Sequence, residues 1–144
     1  MATTGDVGRA LRQAMGSIQR WAGDRPARTG PTPTEVWLLE VLAADGPMRM
    51  SELAEWHKVD RSTVTAQVKR LVAQGWAERG ADPGDRRAVT VAITGEGRAA
   101  IDATFARETA TLDRALAAWN DDEVAELSQL LSRFAAALDD YRRS

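Results

Sequence analysis

A chain of 144 residues, 44% apolar, 28% charged and with a net charge of −2, is long enough for one domain with a core and short for a second, catalytic one. It has no cysteine, which excludes thiolate-bound metal, disulfide switching and a redox-sensing thiol. No apolar run approaches a membrane span, and the opening residues MATTGDVGRA lack the basic-then-apolar profile of a signal peptide, so a cytoplasmic protein is expected.

Residues 1–5 are polar and aperiodic and are expected to fray. Val7, Leu11, Met15 (with Ala14), Ile18 and Trp21 then recur at three- and four-residue steps, which predicts a first helix. It stops before GDRPARTGP, a loop rich in Gly and Pro that a helix does not cross. Thr32 as N-cap, Pro33 at the first helical position and Glu35 closing a capping box predict the next helix. That helix turns Val36, Leu39 and Leu42 inward and ends near Asp45-Gly46-Pro47.

Two shorter helices follow. Ser51 is expected to cap the first, with Leu53 and Ala54 packing inward; Val59-Asp60 makes the turn, and Asp60 or Ser62 caps the second. On the second, Val64, Val68, Leu71 and Val72 form the inward stripe. The opposite face holds Ser62, Thr63, Ala66, Lys69 and Arg70, with Thr65 and Gln67 at its edges. Gly75 stops this helix, and residues 76–79 and 88–93 are expected to pair as a hairpin tipped by DPGDRR. Val89, Val91 and Ile93 alternate with Ala88, Thr90 and Ala92, the period of a half-buried strand.

A helix that fits the major groove, followed by a basic turn that reaches the neighbouring minor groove, is a geometry for reading duplex DNA. The charge distribution agrees with it. Between Lys58 and Val91 seven Lys/Arg stand against four Asp/Glu, whereas from Ala99 to Ser144 five Arg stand against nine acids. A cationic lobe can face phosphate while an acidic lobe points away.

Two long helices close the chain. The first is expected from about Thr94 to Trp119, with Ile101, Phe105, Leu112, Leu116 and Trp119 on one side. Asn120 and Glu123 form a capping box for the last helix, whose Val124, Leu127, Leu131, Phe134, Leu138 and Tyr141 follow steps of 3, 4, 3, 4, 3. That is the seam spacing of helices packed nearly side by side, and it needs a partner. Val7, Leu11, Leu116, Leu127, Leu131, Phe134 and Leu138 are the expected dimer interface. The fold expected is mainly α with a small β-hairpin wing (α+β): a winged helix-turn-helix plus a helical dimerisation lobe. Residues 1–31 supply a dimerisation helix and loop, 32–94 the DNA-binding lobe and 95–144 the C-terminal dimerisation helices, within one compact domain.

Other chemistry finds little support. His57 is the sole histidine, with no ligand cluster at metal spacing, and reads as structural. The acids at 121–123 are those a helix N-terminus favours, and Asp139-Asp140 reads as a solvated tail. No Gly-rich phosphate loop or paired carboxylates point to catalysis, and no metal or cofactor is expected.

Taken in order, PTEVWLLEVL, SELA, RSTVT, RLVAQGWAERG, DPGDRR and AVTVAIT-GEG, framed by helices at both ends, resemble the MarR (multiple antibiotic resistance regulator) family of bacterial transcription factors along nearly the whole chain. The resemblance implies a two-fold dimer on a pseudo-palindromic operator, with half-sites about 10 bp apart. It places Ser62, Thr63, Thr65, Ala66 and Lys69 where the family reads bases and nearby phosphates, with Arg61 and Arg70 flanking them on the recognition helix. Ala66 departs from relatives that carry a long polar residue there; its methyl suits a thymine methyl. In the wing, Arg87 suits a narrow minor groove, Asp85 is expected to hold the Arg87 side chain ready, and Arg79 and Arg86 suit phosphate. The family also implies repression relieved by a small, often aromatic, anion between the lobes, and Met15, Trp21 and Trp37 come from elements near that crevice. For each of the three, core packing is the competing reading. Two alternatives stay open: a winged-helix module that binds protein and not DNA, and a transcriptional activator.

Overall fold

The computed structural model describes residues 1–24, 30–57 (His57 by its backbone) and 60–143. Within them run α1 (Thr4–Gly23), α2 (Pro33–Asp45), β1 (Met48–Arg49), α3 (Met50–His57), α4 (Arg61–Ala73), β2 (Ala77–Asp82), β3 (Asp85–Ile93), α5 (Gly95–Ala115) and α6 (Asp121–Arg143). The mainly helical winged helix-turn-helix read from the sequence is the fold observed. The loop expected over GDRPARTGP lies outside the described residues at 25–29, as does the turn expected at Val59.

Local chemistry sets most of the helix ends. At α2 the Thr32 hydroxyl accepts the Glu35 N–H at 3.3 Å and the Glu35 carboxylate accepts the Thr32 N–H at 2.9 Å. At α6 Asn120 and Glu123 exchange the same pair of bonds, both at 2.9 Å. Two orphan N–H groups are satisfied at each start. Gly75, just past the C-cap of α4, has φ +77°, a backbone conformation that a side chain disfavours.

Three boundaries differ from expectation. α1 begins at Thr4 instead of following five frayed residues, because Thr3 and Asp6 form a capping box of their own. Ser51 lies inside α3 and is not its cap; the Arg49 N–H at the start donates to Glu52 Oε2 at 3.0 Å. α5 ends at Ala115 and not at Trp119. The apolar spacing continues past that point, but the chain tightens there, the Trp119 N–H donating to the Leu116 carbonyl at 2.8 Å.

The three strands form one antiparallel sheet in the order β1-β3-β2, Met48 lying opposite Val91 and Ala77 opposite Ile93. The hairpin is longer than expected, and β1 had no signal in the sequence, since two residues show no periodicity. The core joins Leu38, Leu39 and Leu42 of α2, Leu53 of α3, Val64, Val68 and Leu71 of α4, Ala77, Val91 and Ile101. It fixes α4 and the hairpin on one support.

The long helices stand outside this core. Neither α1 nor α6 buries a residue, and α5 buries only Gly97, Ile101 and Thr104. Val7, Leu11, Leu131, Phe134 and Leu138 are all exposed on the single chain. No helix among the described residues is long and apolar enough to cross a membrane.

Candidate nucleic-acid interface

The N-terminus of α4 is organised by Asp60. Its carboxylate accepts the Thr63 N–H at 2.8 Å and the Thr63 hydroxyl at 2.9 Å, and the Ser62 hydroxyl donates to it as well. These bonds, the Ser62 hydroxyl foremost, hold the Asp60 carboxyl at about 2, below its ordinary 3.8. Because the folded value is the lower one, the cap's stabilisation is present above the ordinary value and is lost as pH falls from 3.8 towards about 2. Asp60→Asn keeps an acceptor without the charge. Its melting temperature is therefore expected to drop less than that of the wild-type chain across this window, and parallel melting curves would contradict the assignment.

The hydroxyls expected to read bases are engaged within the free protein. Ser62 and Thr63 donate to Asp60, and Thr65 donates to the Arg61 carbonyl at 2.8 Å. A donating hydroxyl still offers lone pairs, so this face presents acceptors, matched to the amino groups of cytosine or adenine in the major groove. Ser62, Thr65, Ala66 and Lys69 are exposed, as that role requires.

Arg70 and Gln67 are placed differently. Arg70 Nη2 lies 2.7 Å from Glu35 Oε1, whose side chain is only 6% exposed. Glu35 thus closes the α2 capping box with one oxygen and holds α4 with the other, so Arg70 serves the packing of the two helices. The Gln67 amide oxygen is buried and has no hydrogen-bond partner among the described residues. It turns away from the exposed face.

In the wing, Asp82 Oδ1 accepts the Gly84 N–H at 2.8 Å across the turn. Asp85 Oδ1 accepts the backbone N–H of Arg87 at 2.9 Å, whereas contact with the Arg87 guanidinium was expected. A sequence gives the proximity of two residues but not the rotamer, and the carboxylate is satisfied locally as an Asx turn. Asp85, Arg86 and Arg87 are all exposed at the tip.

Between the start of α4 and the wing lies a groove of about 330 Å³. Arg61 and Thr65 of α4 line it with Arg79 of β2 and Arg87 and Val89 of β3, and Arg49, Met50 and Ser51 close its third side. Four arginines thus line one concave face, and Arg61, Arg79 and Arg87 concentrate positive potential where a polyanion would lie. The structure brings Arg61, Thr65, Arg79 and Arg87 of the expected set together there; Lys69, Arg70 and Arg86 do not line the groove. Sequence reasoning missed Arg49, whose signal was a basic residue immediately before the first helix of the motif. Met15 and Trp37 are exposed and Trp21 is half-buried; none of them lines this groove.

A capped recognition helix, a three-stranded sheet with a basic wing and an arginine-lined groove between them define a winged helix-turn-helix transcriptional regulator. Residues 29–88 match the MarR family model. The chain is 32% identical to the multiple antibiotic resistance protein MarR of Salmonella typhimurium, over 71% of this chain and 72% of that protein. It is 25% identical to the HTH-type transcriptional repressor MdtR of Bacillus subtilis, over 93% of this chain and 86% of the repressor. Among solved structures, a mutant MarR from E. coli complexed with operator DNA superposes with a TM-score of 0.66 at 25% identity, covering 89% of this chain and 92% of that one. The chain belongs to the MarR family of transcriptional regulators.

Proposed function

We propose that this regulator is a cytoplasmic homodimer that occupies a pseudo-palindromic operator as a repressor and leaves it when a small aromatic effector binds. The groove carrying Arg61, Arg79 and Arg87 is the observation that carries the reading: these arginines line the space where the recognition helix meets the wing. The operator complex of the E. coli relative supports it. Ser62, Thr63, Thr65, Ala66 and Lys69 face the major groove, Arg87 enters the minor groove, and Arg61, Arg79 and Arg86 hold phosphate. Arg70 is given up as a DNA contact because Glu35 engages it. The lobe at 32–94 reads DNA, while residues 1–31 and 95–144 hold two copies together. Effector binding near Met15, Trp21 and Trp37 would favour a spacing of the recognition helices that no longer matches the groove repeat. No catalytic step is assigned to it.

Arg87→Ala tests the wing's part in this. Affinity for a duplex enriched by the wild-type chain from a random-sequence library is expected to fall about tenfold or more, with sedimentation and melting unchanged. Fluorescence anisotropy supplies the measurement, and undiminished affinity would remove the wing from the interface.

A further inference from the structure

Arg49 lines the groove, yet its guanidinium is turned to a carboxylate. Its Nε donates to Asp82 Oδ2, across 33 residues of sequence. The Asp82 side chain is 13% exposed and its second oxygen holds the Gly84 N–H, so one carboxylate ties β1 to the turn of the wing. β1 extends the sheet only as far as Arg49, which lies opposite Thr90 on β3. Gly80 faces Thr90 from the other side, so Ala81, Asp82 and the turn project beyond the three-stranded part, and the register is irregular between Ala81 and Asp82. A two-stranded ribbon past such an irregularity has little of its own to fix its direction. The one long-range side-chain bond that reaches it among the described residues is the bond from Arg49.

We propose that Arg49 and Asp82 form a clasp that sets the pose of the wing against the recognition helix, making Arg49 a positioning residue for DNA binding and not a phosphate contact. This rests on the DNA-binding reading above. The clasp links the start of α3, through the Arg49 N–H on Glu52, to the strand end that leads into Arg87. Asp82 is held ionised, its carboxyl lowered first by the Gly84 N–H and then by Arg49, while Arg49 is raised chiefly by its bond to Asp82. Releasing either partner frees the wing and spreads the directions in which Arg87 points. The ordering cost then falls on the binding step.

A double-mutant cycle separates the two roles of Arg49. Affinities of wild type, Arg49→Ala, Asp82→Asn and the double variant are measured by anisotropy at several salt concentrations, against one duplex enriched by the wild-type chain from a random library. The clasp predicts that each single variant binds about three- to tenfold more weakly and that the double variant is no worse than either single one. The salt slope stays at the wild-type value. A direct phosphate contact would instead lower the slope by about one in Arg49→Ala and leave Asp82→Asn as tight as wild type or tighter. That pattern would overturn the clasp. If the wild-type chain enriches no duplex, the DNA-binding reading has failed, and amide exchange still decides the clasp. Exchange at Gly84 and Arg87 is expected to quicken in Arg49→Ala while that of the Val91 amide in the core is unchanged; unaltered exchange at the turn would overturn it.

Discussion

Replacing Leu131 and Phe134 together by glutamate is expected to yield a monomer and to lower affinity for a two-half-site duplex by about a hundredfold or more. The reason lies in what α6 does not bury. It is 23 residues long and carries Val124, Leu127, Leu131, Phe134 and Leu138 at seam spacing, yet none of its residues is buried in the single chain. Leu131 is 58% exposed. Most of a helix's stability in a protein comes from packing its apolar face, and in the single chain that of α6 is uncovered. α1 is in the same condition, with Val7, Leu11, Met15 and Ile18 exposed. Two copies that bring these faces together would cover both, and a stable interface of this kind buries upwards of about 1,000 Å². Charge placed in the seam leaves unpaired carboxylates facing each other there. The measurement is sedimentation equilibrium of the variant, followed by its titration against duplex. A variant that stays dimeric would move the interface off α6.

Gly97→Ala is expected to destabilise the chain by about 3 kcal/mol, at the upper end for overpacking. A Cβ at Gly97 would lie 2.1 Å from the Trp76 carbonyl oxygen and 2.8 Å from Ile93 Cγ1. The oxygen is backbone, and it already accepts the Thr94 N–H at 3.0 Å. Thr94 also donates its hydroxyl to the Gly75 carbonyl at 2.5 Å and accepts the Gly97 N–H at 3.0 Å. The first turn of α5 is thus bonded to the base of the hairpin and has no room to retreat. Urea denaturation of wild type and variant at one temperature measures the difference. A change below about 1 kcal/mol would mean that the junction yields more easily than these bonds imply.

The two results bear on what a sequence can disclose. Thr32 with Glu35, Asp60, Gly75 and Asn120 with Glu123 were legible because each acts through partners within three residues. The recognition helix and hairpin were legible for a similar reason, through period and turn chemistry. Features made by distant residues were not. β1 exists only by pairing with β3, Gly97 is constrained by Trp76, and Arg70 is drawn from the DNA face by Glu35. Arg49 meets Asp82 only once the sheet has formed. Leu116 and Trp119 kept the apolar spacing of α5 but fall beyond its end, since spacing alone does not register a local tightening of the chain. At the candidate site, the residue types and their faces were readable, but the direction of each hydroxyl and the bond of Asp85 to backbone were not.

The central claim is that the arginine-lined face reads duplex DNA as a symmetric pair. Selection from a random-sequence duplex library by the wild-type chain, followed by sequencing of the bound fraction, tests it most directly. The account predicts an enriched inverted repeat with half-site centres about 10 bp apart, bound with an affinity that falls steeply as salt rises. Recovery of no motif, together with no binding of any duplex at low salt, would contradict it.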